Sequence, residues 1–333
     1  MKTKPMTKFA ILALSLVLVA CAGGGSEEAG CPAIDGREIN VVATTPMIGE
    51  FVSQVGGENI NLTVLMPPEA NPHTYEPAPQ DAGTIAEADL VFYTGLLYEP
   101  AALVKLLENS ACSTDILSEV GESVFPIEFK EGGHDDHDDH DDHDDEEGHD
   151  DHEGHNHGAY DPHFWFDPSR VAYAAEYIES RLIEFDPENE SSYKSSADSF
   201  VSELNDLTKQ VSELISTVPS QNRKLITTHE SLGYLEAKFG LEVLSTIIPS
   251  LNSANEISPS DLAGVIDVIE DNNVKVIFIE SEAPSVYSET IVAETGIKSV
   301  TGLYVETLKP GQSYSEFLIS NVTLITENLQ DTD

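Results

Sequence analysis

Short apolar runs alternate with helical patterns of polar and apolar residues in the first part of the chain. The apolar runs predict strands over 39–43, 60–65 and 90–93. Apolar positions at helical spacing predict helices over 46–55, 80–88 and 99–107. Strands that alternate with helices in this way are typical of a parallel sheet with crossover helices. Ligands of such sheets bind beyond the carboxyl ends of the strands.

The last third of the chain repeats this alternation. Strands are predicted over 224–228, 241–247, 274–279 and 298–301, and helices over 259–271 and 285–295. Between the two blocks, an amphipathic pattern covers 169–185, breaks at Asp186-Pro187 and continues over 188–217. A helix of that second length would measure about 45 Å, which is long for a globular protein. The chain therefore predicts two α/β units separated by one long helix.

The N-terminus has the pattern of an export signal. Three lysines are followed by a largely apolar stretch over 9–20, which is too short to span a bilayer. The stretch ends in Leu18-Val19-Ala20-Cys21, which resembles the bacterial lipobox and implies that Cys21 is lipidated. We expect a signal peptide over 1–20 and a flexible tether over 21–36. An ordinary secretion signal is the alternative.

No later segment has the pattern of a transmembrane helix. The mature protein is therefore expected to be exported and soluble, with a lipid anchor at one end. It would face either the periplasm or the exterior of the cell.

The chain is strongly acidic, with a net charge of -44 from 60 acidic and 16 basic residues. This balance argues against nucleic acid as a partner, because the phosphate backbone favours Lys and Arg. It also argues against docking on an anionic membrane surface. The charge favours attraction of cations, although adaptation to a salty medium explains most of the excess equally well.

Cys31 and Cys112 are the cysteines outside the export signal. In an oxidising compartment such a pair is most simply a disulfide, and two buried free thiols are the alternative. Neither residue belongs to a Cys-x-x-Cys motif. A redox or zinc-thiolate role is therefore not predicted.

Eight of the eleven histidines alternate with Asp and Glu in one segment, the histidine-rich run (residues 134–157). The run lacks apolar residues, so the loop over 132–158 is predicted to be disordered without metal. Imidazole suits zinc, copper and nickel, and we expect several weak, exchangeable sites here. A solvated acidic linker is the alternative, but it leaves the histidines unexplained. These accessory residues are His134, His137, His140, His143, His149, His152, His155 and His157.

The other three histidines, His73, His163 and His229, lie far apart in short distinctive settings. His163 lies in the octapeptide Asp-Pro-His-Phe-Trp-Phe-Asp-Pro at 161–168, which holds the only tryptophan. This octapeptide resembles the Asp-Pro-His-x-Trp-x-Asp-Pro signature of the metal-binding lipoproteins of ABC importers, the zinc and manganese cluster of substrate-binding proteins. Segments 71–77, 94–99 and 227–234 resemble that family's first-ligand loop, its Asn-Gly-x-x-x-Glu turn and its third-ligand segment. The resemblance extends over about residues 38–330.

The resemblance implies two lobes, each a parallel sheet with flanking helices, joined by a long rigid helix with a metal site in the cleft. The expected limits are 37–186 for the N-terminal lobe, 187–217 for the linking helix and 218–333 for the C-terminal lobe. His73 and His163 would come from the first lobe and His229 from the second. Small domain movements would accompany metal binding.

The fourth ligand is left open by the sequence. The family often supplies an aspartate from a Leu-Asp-Pro-Leu-like loop, and the matching stretch at 305–308 reads Val-Glu-Thr-Leu. Glu306 would therefore stand in, although glutamate is one methylene longer. Glu280, as ligand or orienting partner, and water are the alternatives. Asp161 and Asp167 could orient imidazoles, and helix capping is an equal explanation of Asp167.

Zinc is the expected metal. Three imidazoles are typical of zinc, whereas manganese prefers oxygen-rich sites, and manganese proteins of this family tend to have a carboxylate where this chain has His229. Binding should weaken as the pH falls through about 6, because ligating imidazoles must be neutral. The alternatives are a manganese-binding member of the family and a zinc buffer acting through the histidine-rich run. The implied partners are ABC permease subunits with a separate ATPase, and a monomer is expected.

A zinc enzyme is the alternative from another class, because three histidines with an open position also describe a catalytic site. Glu230, next to His229, would be its general base. The sequence contains no His-Glu-x-x-His, Gly-x-Ser-x-Gly or phosphate-binding Gly-x-x-x-x-Gly-Lys-Ser/Thr motif. We therefore do not expect an enzyme.

Overall fold

Two four-stranded parallel sheets form the frame of the protein. The computed structural model describes residues 31, 34, 36–68, 70–129, 160–282 and 286–330. The first sheet has the order β2-β1-β3-β4 and the second the order β6-β5-β7-β8. The strands are β1 (Ile39–Ala43), β2 (Ile60–Val64), β3 (Leu90–Tyr93), β4 (Leu117–Glu119), β5 (Lys224–His229), β6 (Glu242–Ile248), β7 (Val276–Glu280) and β8 (Lys298–Leu303). The α/β fold with two parallel sheets is confirmed.

Helices flank both sheets. They are α1 (Pro46–Gly56), α2 (Pro79–Ala86), α3 (Ala101–Ser110), α4 (Pro168–Phe185), α5 (Glu190–Ser216), α6 (Gly233–Phe239), α7 (Pro259–Asn272), α8 (Val286–Thr295) and α9 (Tyr314–Gln330). The sequence analysis did not predict β4, α6 or α9. β4 and α6 are too short to give a clear period. α9 did carry a signal, because Leu318, Val322, Ile325 and Leu329 recur at helical spacing and are buried.

The long helix α5 begins after a 3₁₀ turn at Pro187–Asn189 and runs for 27 residues, or about 40 Å. Its buried face packs on the neighbouring α4 and on α1 and α9, which lie towards opposite ends of the chain. One hydrophobic core joins these helices and contains side chains of both sheets, such as Val41 of β1 and Phe278 of β7. We call the half around the first sheet the first lobe and the half around the second sheet the second lobe. The limits 37–186, 187–217 and 218–333 stay a proposal.

A disulfide joins Cys31 to Cys112, with a Cα–Cα distance of 5.1 Å. It ties the segment before β1 to the connection between α3 and β4. The two cysteines are 81 residues apart, and closing a loop of that size stabilises a fold by about 4 kcal/mol in the chain-entropy model.

Within the described part of the chain, no helix is both long and apolar enough to cross a membrane. The signal peptide over 1–20, Cys21 and the histidine-rich run lie outside the described residues. The predictions made for them stay predictions.

Candidate metal site

Four side chains that are distant in sequence converge between the lobes: His73, His163, His229 and Glu306. Each offers one potential ligand atom, and these atoms all lie within 4.8 Å of one another. His73 lies in a 3₁₀ turn after β2, and His163 immediately precedes the turn Phe164–Phe166. His229 is the last residue of β5, not the residue after it as predicted, and Glu306 follows β8. Three of the four residues therefore lie at or beyond the carboxyl ends of parallel strands, where such sheets commonly bind ligands.

The spacing of the four side chains suits one small ion. Oε1 of Glu306 lies 3.0 Å from Nε2 of His73 and 2.9 Å from Nε2 of His229. Oε2 lies 3.5 Å from Nε2 of His163. Zinc–ligand bonds of about 2.0–2.1 Å in a tetrahedron place neighbouring ligand atoms about 3.3 Å apart. The distances from Oε1 to His73 and His229 are slightly shorter than that value, and the distance from Oε2 to His163 is slightly longer.

Burial leaves two of these nitrogens without hydrogen bonds. The side chains of His163, His229 and Glu306 are fully buried, and that of His73 is 3% exposed. Nε2 of His163 and Nε2 of His229 are buried and make no hydrogen bond. Buried polar atoms are normally paired, so nitrogens that converge without a partner are typical of a metal site.

The buried imidazoles are held from behind by carboxylates. Nδ1 of His163 donates to Oδ1 of Asp161 at 2.8 Å, and Nδ1 of His229 donates to Oε2 of Glu280 at 2.5 Å. Both carboxylates also accept the backbone N–H of the same histidine. This arrangement directs each Nε2 into the cluster, as is usual for metal-binding histidines.

These contacts also describe the surroundings of three other acidic residues that the sequence analysis considered. Glu280 lies behind His229 and is not one of the four converging residues. Asp167 caps α4 by accepting the N–H of Ser169 at 2.9 Å, and so its geometry is that of a helix cap. Glu230 accepts a hydrogen bond from the Thr246 hydroxyl and does not join the cluster.

The charges of the cluster stabilise one another. Burial alone would raise the pKa of Glu306, but the nearby His73 and His229 hold it well below its usual range. Burial alone would lower the pKa of His163, but the hydrogen bond to Asp161 and the charge of Glu306 raise it to about 9. The pKa of His229 is raised well above its ordinary value against the effect of burial, by Glu280 and Glu306. The metal-free site therefore favours the protonated forms of His163 and His229 and the ionised form of Glu306.

A sequence model of one family, described as ZnuA, zinc-uptake complex component A, periplasmic, matches residues 41–328. The chain belongs to the ZnuA family. Membership makes it a substrate-binding protein of a metal ABC transporter, which is the function class that the octapeptide around His163 predicted.

Relatives within this group are named for more than one metal. The manganese-binding lipoprotein MntA of Halalkalibacterium halodurans is 23% identical, with 96% of this chain and 97% of the relative covered. The high-affinity zinc uptake system protein ZnuA of Bacillus subtilis is 28% identical, with 96% of each chain covered. The solved periplasmic zinc-binding protein TroA of Treponema pallidum has a TM-score of 0.74 at 21% identity, covering 88% of this chain and 99% of TroA. The likeness to TroA supports the fold.

The ZnuA-family site contains one residue that the sequence analysis missed, Tyr98. Its hydroxyl donates to Oε2 of Glu306 at 2.9 Å, and the side chain is buried. The turn that presents it is built around Glu99, whose carboxylate accepts the N–H groups of Thr94 and Gly95. The sequence analysis recognised this turn, but the pattern gives no indication of which distant residue Tyr98 contacts.

We expect Glu280→Gln to weaken zinc binding by about 10–100-fold, because the amide cannot hold His229 by a charged hydrogen bond. Isothermal titration of the purified protein with zinc would measure the change. Asp167→Asn is the matched control, since Asp167 is a buried carboxylate that caps a helix and should leave the affinity within about threefold. Equal effects of the two substitutions would contradict the orienting role of Glu280.

Proposed function

We propose that this protein captures zinc(II) outside the cytoplasm and delivers it to the permease subunits of an ABC transporter, whose separate ATPase hydrolyses ATP. The observation that carries the proposal is the donor set, three imidazole nitrogens and one carboxylate in a buried cluster. Nitrogen-rich, four-coordinate sites are typical of zinc, whereas manganese prefers oxygen ligands at six positions. Copper and nickel would also bind in vitro, since intrinsic affinity follows the Irving–Williams order.

Manganese is the second candidate. Relatives named for manganese support it, among them the manganese ABC transporter substrate-binding lipoprotein PsaA of Streptococcus anginosus, which is 26% identical over 98% of this chain and 99% of the relative. The presence of His229 as a third nitrogen donor favours zinc over this candidate.

The division of ligands between the lobes suits capture followed by release. His73 and His163 belong to the first lobe, whereas His229 ends β5 and Glu306 follows β8 in the second lobe. A displacement of about 1 Å between the lobes would stretch two of the four bonds beyond normal zinc–ligand lengths. Docking on the permease therefore needs only a small movement to weaken the site. The family of substrate-binding proteins supports a binding protein as the proposal, and Glu230 accepts a hydrogen bond from Thr246 outside the cluster.

The remaining parts of the chain fit this role as proposals. The signal peptide over 1–20 directs export, lipidation of Cys21 anchors the monomeric protein at the membrane surface, and the tether lets it reach the permease. The histidine-rich run collects zinc at weak sites and raises the local supply to the tight one. A buffer that acts mainly through this run is the competing function.

A titration of the soluble protein with zinc and manganese, with and without residues 134–157, tests the proposal. We expect one tight zinc site in both forms and extra weak sites in the longer form alone. Loss of tight binding on deletion would favour the buffer. Tight manganese binding together with weak zinc binding would favour the manganese candidate.

A further inference from the structure

The two oxygens of the Glu306 carboxylate have different surroundings. Oε1 faces Nε2 of His73 at 3.0 Å and Nε2 of His229 at 2.9 Å. Oε2 accepts a hydrogen bond from the Tyr98 hydroxyl at 2.9 Å, and the backbone carbonyl oxygen of Glu306 is a second acceptor of this hydroxyl at 3.1 Å. Oε2 also lies 3.5 Å from Nε2 of His163. Oε1 is therefore directed at two of the three histidine nitrogens, whereas Oε2 is engaged by a neutral donor and is farther from the third nitrogen.

Tyr98 is fixed in this position. Its side chain is 1% exposed, and its ring makes edge-to-face contacts with the rings of His73, His163 and Trp165 at centroid distances of 5.0, 5.9 and 5.3 Å. The preceding turn is anchored by Glu99, which also accepts a hydrogen bond from the Thr44 hydroxyl of the β1–α1 connection at 2.7 Å. The hydroxyl therefore cannot swing away from Glu306 without moving the turn.

The backbone that carries Glu306 is fixed as well. Oε1 of Glu282 lies 3.3 Å from the N–H groups of both Val305 and Glu306 and accepts from them. The indole N–H of Trp165 donates to the carbonyl oxygen of Val305 at 2.8 Å. Because both the loop and the tyrosine are held, the Tyr98 hydroxyl can fix which carboxylate oxygen it engages.

This orientation decides how many oxygens the site offers. A carboxylate can bind a metal through one oxygen or through both. One oxygen with three imidazoles gives the four-coordinate set that zinc prefers, whereas a second oxygen would move the site towards the oxygen-rich, higher coordination of manganese. We propose that Tyr98 is a specificity-determining positioning residue: its hydroxyl occupies Oε2, so Glu306 presents a single oxygen and the site favours zinc over manganese. This inference rests on the proposed function, since it concerns the selectivity of the same site.

Tyr98→Phe tests the assignment, because it removes the hydroxyl and keeps the ring that packs on the histidines. We expect the ratio of zinc affinity to manganese affinity to fall by about tenfold or more, within the range known for partners of metal ligands. X-ray absorption spectra of the manganese-loaded variant should contain one more oxygen donor from the protein than those of the manganese-loaded wild type. Tyr193→Phe is the matched control, since it removes a buried hydroxyl–carboxylate bond to Asp186 at 2.6 Å at the start of α5. Its affinity ratio should equal that of the wild type.

The zinc-loaded wild type gives a reading that does not depend on the folding of any variant. Its spectrum should contain three imidazole nitrogens and one oxygen, and two carboxylate oxygens on zinc would overturn the inference. An unchanged affinity ratio in Tyr98→Phe, with tight zinc binding in the wild type, would overturn the role of Tyr98 and leave the proposed function standing. A wild type that binds manganese more tightly than zinc would instead overturn the proposed cargo and, with it, the selectivity assigned to Tyr98.

Discussion

The His163→Ala variant should lose its tight zinc site, with an affinity reduced by more than about a hundredfold. Zinc bound at structural four-ligand sites is worth about 10–16 kcal/mol, so one ligand accounts for roughly 3 kcal/mol or more. The substitution also leaves the Asp161 carboxylate, which is 4% exposed, without its imidazole partner, and this should lower the stability of the metal-free variant. Competition with a chelator of known zinc affinity would measure the change.

The histidine-rich run supplies the control for this experiment. His137→Ala removes an imidazole outside the described residues, where the sequence predicts weak and exchangeable sites. This variant should keep the tight site and lose only part of the weak binding. If His163→Ala kept the tight site, the assignment of His163 as a ligand would be wrong. The thermal stability of both metal-free variants should be compared, so that unfolding is not mistaken for a lost ligand.

Zinc affinity should fall steeply as the pH decreases from about 9. The pKa of His163 is about 9 and that of His229 is raised in the same direction, so both imidazoles hold a second proton in the metal-free protein at neutral pH. Zinc requires neutral imidazoles and must displace these protons, which lowers the apparent affinity by about tenfold per pH unit for each proton released. Glu306 stays ionised, because its pKa is held well below its usual range. Two imidazoles therefore predict up to about a hundredfold loss per pH unit.

Proton release on binding can be counted directly. Calorimetric titrations at pH 7 in buffers of different ionisation enthalpy should give about two protons released per zinc. An ordinary histidine, with a pKa of about 6.5, would release well under one proton at this pH. The sequence alone placed the pH dependence near 6, and the carboxylates behind and between the imidazoles move it upward. A zinc affinity that is flat from about pH 9 to about pH 6 would contradict the charge arrangement of the site.

Much of the frame followed from apolar patterns. The predicted strands over 39–43 and 90–93 have the limits of β1 and β3, and the predicted helix over 188–217 differs from α5 by its first two residues and its last one. These elements are buried on one or more faces, and burial gives their apolar residues the regular spacing from which strands and helices are predicted. β4 has three residues and shows no such period.

The site was predictable where a motif names the residue. His73, His163 and His229 stand in recognisable segments, and the structure brings them together with Glu306. Tyr98 was missed because its partner Glu306 lies 208 residues away, and only the folded chain defines that contact. Glu282 has the same difficulty, since a buried carboxylate that accepts backbone N–H groups leaves no pattern in the sequence.

The continuous hydrophobic core shared by the two lobes limits how far they can separate when the metal is released. A wide separation of the lobes would expose apolar side chains around α5, and each 100 Å² of such surface costs about 2.5 kcal/mol. Spontaneous wide opening is therefore rare, and the two lobes move as a nearly rigid unit without a large hinge motion. The loaded form of the protein should outlast many diffusive encounters at the membrane surface. The timing of metal release is then set by the partner that moves the lobes apart, and the concentration of free metal decides only whether the site is occupied.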